Sequence, residues 1–198
     1  MANTDSPVFY EAIGPNEGLG LRVKQALLII GGILALAIAA KLKVPMIPVP
    51  ITMGTLVVLT IGATYGPLMG FSTILGYMIV GALGFDVFVN SSAELNGLAY
   101  MSGSTGGYLI GYVLATIALG FFARRGWDRS FLTMAGAMLI GNILIYIPGL
   151  YWLGALYGWD KPILAWGLTP FLIGDFLKLA LAAILLPTVW KLVGSARA

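Results

Sequence analysis

The stretch Phe171–Trp190, FLIGDFLKLALAAILLPTVW, decides how this chain is read. It is long and apolar enough to cross a bilayer as a helix, which takes roughly 20 such residues. Yet Asp175 and Lys178 sit near its start, at i and i+3 and so on one helix face. A charged group in hydrocarbon is costly and normally faces a cavity or a partner. The pair is therefore either an internal ion pair that fixes packing or the floor of a polar pocket.

The rest of the chain agrees with a membrane setting. Of 198 residues, 59% are hydrophobic and 10% charged, and the mean hydropathy is +0.95. Soluble domains carry about 25% charged residues. The 27 glycines suit closely packed membrane helices. With no Cys and no His, thiolate metal sites and the commonest general base are excluded. Asp175 is the one embedded carboxylate, so neither a catalytic dyad nor a metal cage is expected, and the chain reads as a binder with no cofactor rather than an enzyme. A net charge of +3 is too small and dispersed for nucleic acid.

Six spans fit the hydropathy pattern, at about 22–41, 52–64, 66–84, 105–123, 130–153 and 168–191. The expected fold is an all-α integral membrane protein with a single six-helix domain over 22–198. Residues 1–21 form a polar cytoplasmic tail that lacks the basic start of a signal peptide. The second and third spans are joined by a tight ATYG turn into a hairpin, entered at Gly66-Pro67. Six spans place the loops 41–52, 84–104 and 154–167 on one side. That side holds Lys41, Lys43 and Lys161, whereas Arg22, Lys24, Arg124, Arg125, Arg129, Lys191 and Arg197 fall on the other. Seven bases against three put both termini in the cytoplasm and the three loops outside, with Lys178 left within the sixth span.

Each outer loop is unusual. KLKVPMIPVPIT (41–52) has three prolines and reads as extended, stiff and apolar. Phe85, Phe88, Leu98 and Tyr100 in the 84–104 loop argue that it packs onto something. The aromatics of GALYGWDKPILAWG (154–167) suit a membrane interface. Asn142 lies mid-membrane, as interhelical glue or pocket lining, with Tyr146 one turn on and Trp152 nearer the outside. Thr105 is placed to cap the fourth span, and Gly106 and Gly107 permit close approach of a backbone or a ligand. Gly31, Ala35 and Ala39 recur every four residues, a stripe suited to internal packing or to an outside helix.

Taken in order, VPMIPVPITM (44–53), NGLAYMSGSTGGYLIGY (96–112), GNILIYIPGLYWL (141–153) and GDFLKLALAA (174–183) resemble BioY, the biotin-binding S component of energy-coupling-factor (ECF) vitamin transporters. The likeness runs from about residue 22 onward. It implies capture and uptake of biotin from outside by a multi-pass protein of the cytoplasmic (inner) membrane, with the pocket near the extracellular side. By motif, Asp175, Lys178 and Asn96 would hold the ureido ring, and Met46, Ile47, Pro48, Val49, Pro50 and Ile51 would form a lid. The stripe Gly31, Ala35, Ala39 would dock on a transmembrane coupling subunit that sits on two ATP-binding-cassette ATPases. A ureido ring offers two N–H donors and one acceptor, which a carboxylate, an ammonium and an Asn amide complement. Tyr100, Tyr108, Tyr146 and Trp152 would wall the apolar ring. Two positions depart from the family pattern: Ser104 stands where Gly-Pro-Thr is common, and no Arg lies in the outer half for the ligand carboxylate. The helix-four N-terminus, Lys41 and Lys43 are the candidates. Competing readings are an S component for another vitamin, a stand-alone facilitator or channel, and a small membrane enzyme.

Overall fold

In the computed structural model, which describes residues 6–92 and 94–195, the chain folds into a helical bundle with a small hairpin at one end. Arg197 and the first five tail residues lie outside the described residues. The elements are α1 (Gly18–Lys41), β1 (Lys43–Val44), β2 (Ile51–Thr52), α2 (Gly54–Ala82), α3 (Gly97–Met101), α4 (Gly106–Arg124), α5 (Phe131–Tyr157), α6 (Ile163–Gly167) and α7 (Leu172–Ser195). Among the described residues, five apolar runs are long enough to cross a membrane: α1, α2, α4, α5, and Ile163–Val193 through α6 and α7. Many large apolar side chains point outward, among them Leu27, Ile38, Leu68, Leu132 and Ile173. Water would penalise that surface, and lipid does not.

The second and third spans read from the sequence are the two arms of α2. No four-residue turn separates them. The first arm stays helical to Tyr65, and the chain reverses at Gly66 alone, where φ is 75° and ψ 179°. That conformation is essentially restricted to glycine. Pro67, with its fixed φ, opens the second arm. The reversal is visible in the packing, since a Cβ on Gly70 would lie 3.6 Å from Gly62 Cα. Eight residues of unbroken helix would separate them by about 12 Å. Both arms pack on α4, and α4 packs on α5, where Gly111 faces the Ile145 backbone so closely that a Cβ would meet it at 2.6 Å.

The two ends of the bundle differ. At one, the tail is sewn in rather than loose. Val8 is fully buried against Gly66, and Phe9–Ala12 form a 3-10 turn. Ser6 N donates to Arg124 O at 2.7 Å, Arg124 pairs with Glu11 at 2.5 Å, and Phe9 meets Trp190 edge-on. Burial works against the Glu11 charge, but the Arg124 guanidinium still holds its carboxyl below the usual range. At the other end lie the hairpin, the 83–105 connection, α6 and the start of α7. The Pro-rich segment is not merely extended: Lys43 pairs with Thr52 and Val44 with Ile51, antiparallel, with the prolines in the tip. Phe88 and Tyr100 are buried and stacked at 4.8 Å, as expected of the long loop, whereas Phe85 and Leu98 are exposed.

Gly66→Ala is expected to destabilise the protein by about 1–3 kcal/mol, the cost of forcing a side chain into that conformation. Gly31→Ala, with nothing within 4 Å of the added methyl, is expected to be neutral or slightly stabilising. Thermal unfolding in detergent compares the two.

Candidate functional site

At the hairpin end, three helices converge on the residues that the sequence singled out. Asp175 and Lys178 lie on the first turns of α7 and are 5% and 8% exposed. Lys178 Nζ donates to Asp175 Oδ1 and to Thr55 Oγ1, both at 2.9 Å. Thr55 Oγ1 in turn lies 3.3 Å from Asp175 Oδ1. The Tyr146 hydroxyl donates to Asp175 Oδ2. The first arm of α2, α5 and α7 are thus joined through one carboxylate. Two of the three Lys178 protons are accounted for among the described residues, which leaves one donor.

This network underlies a narrow, partly open cavity of about 60 Å³. Lys178 and Thr55 form its polar floor. Tyr77, Phe88, Tyr100, Tyr108, Tyr112, Tyr146 and Phe171 are its aromatic walls, and Val49 and Pro50 of the hairpin lie over it. Several wall hydroxyls are already engaged away from the space. Tyr108 donates to Gly167 O at 2.8 Å and Tyr77 to Val87 O at 3.0 Å, so their rings line the cavity while their polar tips tie down α6 and the long loop. The space holds a few waters but is well below the roughly 300 Å³ and more of small-ligand pockets. A bicyclic guest therefore requires the cover to move.

The structure gathers some of the expected residues and disperses others. Lys178, Tyr100, Thr105, Tyr108, Tyr146, Val49 and Pro50 line the cavity, with Asp175 held just behind Lys178. Thr105 precedes α4 without capping it through its side chain. Gly106 and Gly107 face Met101 O, Pro148 O and Trp152, so they serve close packing and not the cavity. Trp152 Nε1 donates to Gly103 O at 2.9 Å and holds the loop. Asn96 sits before α3 with its Nδ2 donating to Ser92 O at 3.0 Å, away from the cavity lining. Asn142 is buried below Tyr146, and its Oδ1 has no partner among the described residues. Met46, Ile47 and Pro48 form the hairpin tip, with Ile47 94% exposed, and Ile51 faces α7. Lys41 pairs with Asp86 at 2.6 Å and Lys43 donates to Val89 O and Asn90 Oδ1, so both lysines anchor the long loop. The Lys41 ammonium, together with Ser91, holds the Asp86 carboxyl below its ordinary range. Of the helix-one stripe, Gly31 and Ala35 border an apolar groove, whereas Ala39 is buried inside the bundle. Thr55 and Tyr112 were not anticipated. Both sit in apolar helical runs where neither residue type stands out.

A helical membrane protein with an aromatic-walled cavity over a buried ion pair is a small-molecule binder by construction. Its family follows from sequence: the profile of the BioY family matches residues 13–195, and the chain belongs to that family. Among similar proteins, a probable biotin transporter BioY of Pyrococcus horikoshii is 35% identical over 165 residues, covering 83% of this chain and 95% of its own. The biotin transporter BioY of Thermotoga maritima is 28% identical, covering 79% and 90%. The crystal structure of the S-component for biotin from an ECF-type ABC transporter superposes with a TM-score of 0.74, covering 89% of this chain and 95% of that one. At 22% identity, that likeness is one of fold.

Lys178→Met strands a buried carboxylate and is expected to lower stability by about 3–5 kcal/mol. The double variant Asp175→Leu/Lys178→Met leaves no charge behind and is expected to lose less. A double-mutant cycle read by unfolding of the ligand-free protein measures the difference.

Proposed function

We propose that the chain is the substrate-binding (S) subunit of an energy-coupling-factor transporter and captures biotin. The observation that carries this is the polar floor. Lys178, with a donor to spare, and Thr55 line it, and the Asp175 carboxylate stands just behind Lys178, where Thr55 and Tyr146 hold it beneath the aromatic walls. A ureido ring needs acceptors for its two N–H groups and a donor for its carbonyl, and its fused apolar ring needs such walls. The names of the curated relatives point to the same ligand.

In this reading the protein crosses the cytoplasmic membrane six times, with the arms of α2 counted separately and both termini inside. The tail end is cytoplasmic and the hairpin end outside. Its support is the reversal at Gly66 and the excess of Arg and Lys at the tail end. The tail 1–21 precedes one membrane domain, 22–198. The hairpin acts as the lid, and Asn96 reaches the ligand only if its loop moves inward. Gly31 and Ala35, exposed on α1, face the transmembrane coupling subunit, with two ATPases beneath it. The chain carries no ATPase motif of its own, so energy comes from those partners.

Isothermal titration of the ligand-stripped protein is expected to show tight biotin binding and none of thiamine or riboflavin. Asp175→Asn is expected to weaken it by about 2–3 kcal/mol, roughly 30- to 150-fold. Unchanged affinity in that variant refutes the site.

A further inference from the structure

The cavity is too small for a bicyclic guest and must widen to admit one, and the hairpin is not equally attached on all sides. At the tip, Ser104 Oγ donates to Pro48 O at 3.0 Å, and Val49 is 4% exposed within the aromatic core. Along β1, Lys43 Nζ is bound to Val89 O and Asn90 Oδ1, and the preceding Lys41 is bound to Asp86 and Phe88 O. Toward α7, by contrast, no hydrogen bond among the described residues leaves Ile51, Thr52 or Met53 for the helix. The contact there is apolar and thin: a Cβ on Gly174 would find only Ile51 Cγ2 within 4 Å, at 3.9 Å. Outside this seam lies an open groove of about 540 Å³, bordered by Lys43, Ile51, Met53, Gly174 and Leu177. Thr52 and Lys178 line both that groove and the cavity, so a single layer of side chains separates the two spaces.

We propose that the ligand enters and leaves sideways, through the seam between β2 and the first turns of α7, with Thr52 and Lys178 as the gate. This rests on the reading of the hairpin as a lid over a ligand cavity. Opening here slides one apolar surface past another and rotates a flexible lysine stem, whereas lifting the tip breaks a hydrogen bond and withdraws Val49 from the core. The groove also presents the right charge. Lys43 donates to the neutral acceptors Val89 O and Asn90 Oδ1, with Asp86 contributing to its surroundings, and Lys178, paired with Asp175 but with one donor to spare, stands at the inner end. An amphipathic carboxylate, with an apolar body and one negative end, is the class of ligand such a passage favours.

The sequence has no native cysteine, so Ile51→Cys/Gly174→Cys yields one defined pair across the seam, where a Cβ on Gly174 lies 3.9 Å from Ile51 Cγ2. With labelled biotin, oxidation of that pair is expected to slow association and dissociation alike by about tenfold or more, with Kd nearly unchanged and the rates restored by reduction. Ser104→Ala, which frees the tip, is expected to leave both rates within about twofold. Wild-type exchange rates in the oxidised pair, or exchange accelerated about tenfold by Ser104→Ala, overturn the side route. If the unaltered protein binds no biotin, the functional reading fails, and the route is still tested without a ligand. Thr55→Cys, inside the cavity, is labelled with a small charged thiol reagent with and without Gly174→Leu. Slower labelling with Gly174→Leu supports the seam, and equal labelling overturns it.

Discussion

Everything at the hairpin end depends on keeping one carboxylate and one ammonium charged in a medium that penalises both. Removing either ion from water costs several kcal/mol even after relaxation, and their attraction offsets this only with good geometry and further hydrogen bonds. Asp175 obtains those bonds from three directions: from its own helix through Lys178, from α2 through Thr55, and from α5 through Tyr146. The requirement is therefore architectural. The first arm of α2 must lie beside α7, and α5 must bring Tyr146 within reach, or the pair is left unsatisfied. The cavity lies above this convergence, walled by the aromatic side chains of α2, α4, α5 and the long loop.

The opposite end solves a different problem. The α2 reversal exposes backbone at Gly66, and the tail covers it with Val8 while Glu11 and Arg124 tie the tail to the end of α4. Trp190, near the end of α7, donates to buried Asp128 at 2.5 Å and stacks under the Arg129 guanidinium at 4.0 Å. Burial pushes the Asp128 carboxyl up, while the indole N–H opposes that. This end joins the tail, α2, α4 and α7 by an ion pair, a buried hydrogen bond and apolar and aromatic contacts.

The parts of this arrangement that were legible in the sequence are those where a residue contradicts its surroundings. Asp175 and Lys178 stand out because charge is rare in lipid, and the Pro-rich segment because it cannot be helical. Gly66-Pro67 marks a reversal because both residues restrict or extend the backbone in known ways. Thr55 and Tyr112 conform to their surroundings and gave no signal, since their role comes only from what α7 and the hairpin bring opposite them. The same limit explains the glycines. Gly106 and Gly107 permit close approach, but the sequence does not say by what, and the approaching group is the Pro148–Trp152 face of α5 and not a ligand. Asn96 and Trp152 carry polar atoms in the right region, yet local backbone carbonyls of Ser92 and Gly103 claim them first. A stripe of period four says which residues share a face, not whether that face is covered, and so Gly31 and Ala35 remain open while Ala39 is buried.

A guest that displaced the waters of this cavity would make stronger polar contacts inside it, because competing solvent is then gone and the local dielectric is low. Closure over that guest slows exchange, since the guest can leave only as fast as the cover moves. The hairpin reconciles the two through unequal attachment. Its tip and first strand are held by hydrogen bonds to the long loop and to the loop before α4, so the cover keeps its register and shape. Its second strand meets α7 through apolar packing, Ile51 against Gly174 among it, with no hydrogen bond to the helix among the described residues. Lys178 stands at that edge, part of the floor and part of the outer groove at once. Under the proposed route, a motion that parts β2 from α7 would expose the ion pair to solvent and weaken its hold on a guest, coupling opening to release through the same side chain.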